Sequence, residues 1–152
     1  STRRKRQMCI RDRLGLGATI RTDRREIAAD DYFQGMFDTA LGEDELIVSI
    51  SFPKPKRAAY AKFPNPASRY AVTGVMVAET GDGVRVAVTG AGACAFRATA
   101  FEEALGGSFT ANAVADLSVA ADDLNSDLHA SAEYRAHLVT VMAKRAVQAL
   151  GG

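Results

Sequence analysis

The chain has 152 residues, 47% of them hydrophobic and 24% charged, with a formal net charge of +1. That size and balance suit one globular domain or two small lobes, able to bury a core without disulfides or metals. No apolar run approaches the roughly 20 residues of a membrane-spanning helix, no h-region follows the basic start, and Cys9 and Cys94 are too few and too far apart for a disulfide framework or metal cluster.

A reducing cytoplasm is the expected location. Residues 1–13 hold six basic side chains (Arg3, Arg4, Lys5, Arg6, Arg11, Arg13) against Asp12, whereas the remainder holds 13 basic and 17 acidic residues. The body is therefore mildly acidic and carries no nucleic-acid footprint. The basic head reads as a disordered or foreign leader, with a localisation signal or nucleic-acid arm as the competing reading. A first residue of Ser rather than Met fits a fragment.

Residues 14–22 predict a short strand with a Gly-rich entry. The 32, 33, 36, 37 spacing of Tyr32, Phe33, Met36 and Phe37 predicts one or two helical turns, weakened by Gly35. The β-branched run 46–52 predicts a strand stopped by Pro53, and residues 53–57 form a basic, Pro-broken link at which a lobe boundary is placed. Strands follow over 60–63, 72–79 and 84–89, the last two joined through Thr80-Gly81-Asp82-Gly83, which has hairpin turn chemistry. Helices are predicted over 98–105, ended by Gly106-Gly107, over 112–119, and over 131–150. Ser131 is the expected N-cap of the last, and Tyr134, Leu138, Val141, Met142 and Val147 lie near one face. Strands followed by helices indicate an α+β fold, a small antiparallel sheet packed on helices.

Several patterns resemble sites and read more simply as structure. Gly90-Ala91-Gly92-Ala93-Cys94-Ala95 matches a G-x-G-x-x-A dinucleotide fingerprint, but no further parallel strand with an acid at its end follows, so a tight turn is the better reading. His129 and His137 lack partners at metal-ligand spacing and read as surface or capping residues. Cys94 reads as a small buried thiol. Glu102-Glu103 and Asp122-Asp123 are adjacent pairs that do not face each other on a helix and read as solvated.

The segment Ala59-Tyr60-Ala61-Lys62-Phe63 is more specific. On a strand, Tyr60 and Lys62 point to one face, and an aromatic beside a cation suits a flat, electron-rich ring that must hold negative charge, as a reduced flavin does. An exposed strand face is the competing reading.

Linked motifs resemble one family. Tyr60 to Tyr70 is similar to the segment that opens the C-terminal domain of the FAD-binding medium subunit of aerobic carbon monoxide dehydrogenases, in the molybdenum hydroxylase (xanthine dehydrogenase) family. Asp31–Phe37 with Gly42–Ile47, Val88–Gly92 running to Arg97, Phe101–Leu105 and Leu124–Arg135 are similar as well. The resemblance runs from about Leu14 to the end, and the stretches Asn65–Tyr70 and Asn125–Arg135 favour the carbon monoxide dehydrogenase branch.

The resemblance implies that residues 14–55 end an FAD-binding domain and that 58–152 form the flavoprotein C-terminal domain. It implies FAD as cofactor, with no catalytic residue and no metal ligand in this chain. A large molybdopterin subunit and a small subunit with iron–sulfur clusters are the implied partners, and a quinone-type molecule the implied acceptor. It places the complex in the cytoplasm, or at the inner face of the cytoplasmic membrane. Residue by residue, it makes Ile47 a residue that packs on the flavin, Lys62 a cation beside the isoalloxazine, and Tyr60 a residue that flanks or gates the ring. Residues 1–13 match nothing in the family, and its Gly-rich FAD-diphosphate motifs have no counterpart here. The chain alone is therefore expected to bind FAD poorly and to be inactive. A xanthine dehydrogenase-like or N-heterocycle hydroxylase, and a non-catalytic subunit-docking module, are the alternatives.

Overall fold

The computed structural model describes residues 10–152. Its centre is an antiparallel hairpin of β7 (Ala71–Thr80) and β8 (Gly83–Thr89), registered so that Thr80 faces Gly83 across the two-residue loop Gly81-Asp82. Gly83 has φ 128°, which explains why a glycine closes the turn. The strand β6 (Arg57–Pro64) pairs with the outer edge of β7, and the short β9 (Phe96–Arg97) with β8, giving a four-stranded antiparallel sheet in the order β6-β7-β8-β9.

Helices cover one face of this sheet. Val75, Val77, Val86 and Val88 are fully buried beneath α3 (Thr99–Gly107) and α4 (Ala132–Ala149), with Phe101, Leu105, Val139, Met142 and Val147 completing the core. Each such side chain contributes about 1.5–3 kcal/mol on burial. Ser131 caps α4, its hydroxyl accepting from Tyr134 N at 3.2 Å. The buried face of α4 runs through Leu138, Val139, Met142, Ala143, Ala146 and Val147; Tyr134, expected near that face, is instead 44% exposed beside Phe63 and His137. The helix expected over 112–119 is a single 3-10 turn, Ala111–Val114.

The opposite face of the sheet is also covered. Met76, Ala78 and Ala87 pack with Leu14 from α1 (residues 10–16) and with Leu16 and Phe33. Burial on both faces is why β7 lacks the alternation of a half-exposed strand. A strand was expected over 14–22, but residues up to 16 are helical and only β1 (Thr19–Thr22) is extended. Gly17, at φ 65°, is the reason: Gly17 N bonds Leu14 O and Ala18 N bonds Arg13 O, the paired contacts of a left-handed helix stop.

A second sheet of three short strands follows, in the order β2 (Glu26–Ala28), β1, β5 (Ile47–Ser51). Ile20, Ile27, Ala18, Ala29 and Tyr32 form its small core. The turns expected around 32–37 amount to the single turn α2 (Ala29–Tyr32), after which the chain makes a hairpin of β3 (Phe33–Gly35) and β4 (Asp38–Thr39). Met36 and Phe37 form its tip, exposed, with Phe37 at φ 61°. The helix-like spacing came from one apolar pair leading into the hairpin, Tyr32 and Phe33, and a second, Met36 and Phe37, forming its tip. The architecture is α+β, as expected.

Candidate functional site

Tyr60 and Lys62 share one face of β6, opposite the helices, because Ala59 and Ala61 between them pack into the helix-side core. Their register partners are Met76 and Gly74 on β7. The Tyr60 ring reaches across β7: a Cβ on Gly74 would overlap the Tyr60 hydroxyl and fall 2.7 Å from Cζ. The ring therefore lies over Gly74, and its hydroxyl is 3.2 Å from Thr89 Oγ1 on β8. The ring also meets Arg11, whose Cζ lies 4.4 Å from the ring centroid.

Lys62 is exposed, and its ammonium donates to Arg69 O at 2.9 Å. The acceptor belongs to the loop after β6. Asn65 Oδ1 accepts from Ala67 N and Ser68 N, Asn65 N bonds Tyr70 O, and Arg69 takes φ 62°. The Asn65–Tyr70 motif is thus a self-bonded loop that presents a carbonyl to Lys62.

Ile47 lies elsewhere, as the first residue of β5, 37% exposed. Two carboxylates fix the chain before it. Asp23 Oδ1 accepts from Leu46 N at 3.0 Å. Glu45 accepts from Arg25 Nε and Nη2, each at 2.9 Å, from Gly42 N and from the Thr22 hydroxyl. The Arg25 guanidinium, with the Gly42 amide and Thr22, pulls the Glu45 carboxyl down to about 2. Tyr60 and Lys62 thus stand side by side, while Ile47 belongs to the other sheet, so a ligand touching all three must bridge both.

An ionic chain joins the two sheets. Asp30 on α2 accepts from Arg85 Nη2 on β8 and from Arg97 Nη1 on β9, the latter at 3.1 Å. Arg85 also donates twice to Leu14 O. Arg97 continues to Glu102 on α3, whose Oε1 also accepts from Val86 N at 2.9 Å. Glu102 is only 9% exposed, so the expectation of a solvated pair fails at this residue. The reason is its two partners, which lie five and sixteen residues away in sequence. Glu103, its neighbour, is exposed.

The Gly90–Ala95 segment is a turn and no dinucleotide loop. The strand before it pairs antiparallel on both edges, and β9 intervenes before α3. Gly90 has φ 78°, and a Cβ there would strike Ala71 O. Arg135, 4% exposed, secures the turn by donating to Val72 O and Gly90 O, and Asp127 accepts from its Nη2 at 2.8 Å. Asn125 Nδ2 donates to Gly92 O at 2.9 Å. The Leu124–Arg135 motif is therefore the clamp on this turn. Cys94 is half-buried rather than buried. It lines a cleft of about 850 Å³ between the β3–β4 hairpin and the Gly90–Ala95 turn, with Phe33, Phe37, Thr89 and Asn125. Tyr60 borders that cleft only through Thr89, and neither Ile47 nor Lys62 lines it.

Residues 58–150 match the model of the CO dehydrogenase flavoprotein C-terminal domain. This chain belongs to that family. Over 138 residues it is 34% identical to the nicotine 6-hydroxylase medium subunit of Paenarthrobacter nicotinovorans, covering 84% of this chain and 49% of that protein. The carbon monoxide dehydrogenase medium chain of Hydrogenophaga pseudoflava is 31% identical, covering 83% and 48%. The chain thus spans about half the length of the curated relatives it matches. Among solved structures, CO dehydrogenase from Oligotropha carboxidovorans superposes with a TM-score of 0.75 at 26% identity, over 91% of this chain and 54% of that one. Quinoline 2-oxidoreductase from Pseudomonas putida 86 shares the fold, with a TM-score of 0.74 at 21% identity over 92% and 54%. No helix among the described residues is long and apolar enough to cross a membrane.

Proposed function

We propose that this flavoprotein-family chain serves in the FAD-carrying medium subunit of a molybdenum hydroxylase, passing electrons from iron–sulfur clusters in a small subunit through FAD to a quinone-type acceptor. Residues 14–55 would end the FAD-binding domain and 58–152 form the C-terminal domain, in a cytoplasmic complex whose large subunit holds molybdopterin. The observation that carries the reading is the placement of the Tyr60 ring and the Lys62 ammonium on one face of β6, away from the helices.

These residues fit an isoalloxazine. Bound FAD would supply the electron-exchange chemistry. Lys62 sets a positive charge beside a ring that gains negative charge on reduction, which stabilises the charged form. Tyr60, fixed through Gly74 and Thr89, offers a flat aromatic surface, and Ile47 an apolar side chain that keeps water from the ring.

Carbon monoxide is the substrate the sequence motifs favour for such a complex, and an N-heterocycle is the alternative. The nicotine relative, at 34% identity, and the carbon monoxide relative, at 31%, are about equally close, so the large subunit decides. A docking role alone is supported by exposed apolar residues, Phe37 and Met36 at the hairpin tip, Leu46 just before β5 and Val48 on it. Co-expression with the large and small subunits tests the proposal. A co-purifying complex with stoichiometric FAD that bleaches on adding substrate supports it. A complex without flavin leaves docking alone.

A further inference from the structure

We propose that Asn65 is a positioning residue for Lys62: it folds the loop after β6 so that the Arg69 carbonyl tethers the Lys62 ammonium, which holds the cation at the ring wall. The inference rests on the reading of Tyr60 and Lys62 as part of a flavin site.

A lysine on an open strand face has a long, freely rotating stem, and its charge is spread over every position the stem can reach. The effect of a charge on a nearby ring falls with separation, so a spread-out cation tunes a flavin less than a fixed one. Lys62 is exposed, yet its ammonium is held, donating to Arg69 O at 2.9 Å. An ammonium has three N–H donors, so this bond leaves two for a ligand. The accepting carbonyl lies beyond the end of β6 and must itself be fixed if it is to fix the cation.

Asn65 fixes it. Its Oδ1 accepts from Ala67 N at 2.9 Å and Ser68 N at 3.1 Å, its carbonyl accepts from Arg69 N at 2.9 Å, and its own N–H donates to Tyr70 O at 2.7 Å. Ser68 Oγ accepts the remaining amide, Tyr70 N, at 3.3 Å. Every N–H from Asn65 to Tyr70 is therefore bonded inside the loop, Pro66 having none. A loop that satisfies its own amides needs no ligand to form. Pro64 and Pro66, on either side of Asn65, lock φ and stiffen it further. Arg69 sits at φ 62°, a conformation that a residue with a Cβ keeps only where its surroundings impose it. Its bond to Asn65 O is one such constraint, and the two amides on Asn65 Oδ1 set the path of the chain leading to it.

Two readouts test the role, one of them without a flavin. In the whole chain, nitrogen relaxation of the Lys62 ammonium by NMR should show an ordered Nζ in the wild type and a freer one in Asn65→Ala. Asn65→Ser, whose hydroxyl accepts more weakly, should fall between. Equal order in all three overturns the tether. In the complex assembled with the large and small subunits and FAD, Asn65→Ala should move the flavin midpoint potential to a more negative value, by part of the Lys62→Ala shift. On a Lys62→Ala background it should add nothing, because a residue that acts only through Lys62 has nothing left to position. Wild-type potentials in Asn65→Ala and Asn65→Ser, beside a shifted Lys62→Ala, overturn the positioning role and leave the flavin reading standing. A further shift on the Lys62→Ala background overturns action through Lys62. A complex that takes no flavin, or whose potential ignores Lys62→Ala, overturns the flavin reading and the positioning role with it.

Discussion

Gly74 is the floor beneath Tyr60: the register sets Gly74 opposite Lys62, and the neighbouring Tyr60 ring leans across it to reach Thr89. Gly74→Ala should therefore push the ring off the sheet and cost about 1–3 kcal/mol, the usual penalty of overpacking. Urea denaturation measures the cost, and the tyrosine hydroxyl contact to Thr89 should be lost with it. A variant as stable as the wild type would place the ring elsewhere.

Asp30 gathers Arg85 and Arg97 and so holds the three-stranded sheet against the four-stranded one. Asp30→Asn removes the charge both arginines share. It should cost about 1 kcal/mol, as expected of a partly exposed network. Hydrogen exchange should quicken selectively in residues 19–51, while α4 keeps its protection. Uniform exchange along the chain would contradict a latch between the sheets.

Glu45 makes part of the stability depend on acid. Its folded-state pKa is depressed to about 2 by Arg25, with help from Gly42 and Thr22. A depressed carboxyl stabilises the fold above its unfolded value, about 4.3, and that contribution disappears as pH falls through about 2. Glu45→Gln should be less stable than the wild type at pH 7, and the difference should shrink as pH drops from about 4 to about 2. Glu79 and Asp127 are depressed too, by Arg57 and chiefly by the His129 amide respectively, so the comparison between variants isolates Glu45.

Ser131 caps the longest helix through Tyr134 N. Ser131→Ala should cost about 1 kcal/mol, read as a lower Tm with the fold intact by circular dichroism.

What was legible in the sequence is what local chemistry decides. The Gly81-Asp82 loop closes the hairpin where expected, and the Ser131 cap starts α4 where expected. The antiparallel sheet followed from the hairpin turn chemistry, and the same-face placement of Tyr60 and Lys62 from period-2 alternation. What stayed hidden depends on partners remote in sequence. Glu102 reads as solvated until Arg97 and Val86 N reach it, and nothing local in the sequence ties Arg135 to the Val72 and Gly90 carbonyls that accept from it. Tyr32, Phe33, Met36 and Phe37 mimic helical spacing because a two-residue turn separates β3 from β4. Gly74 carried no signal of its role, since the ring that needs it is fourteen residues away.

In the proposed subunit Lys62 stands beside a flavin ring. Spectroelectrochemical titration of the assembled complex, wild type against Lys62→Ala, tests it most directly. Loss of the cation should make the flavin harder to reduce, moving its midpoint potential to a more negative value. An unchanged potential, with flavin bound in both proteins, would contradict the placement of Lys62 at the ring.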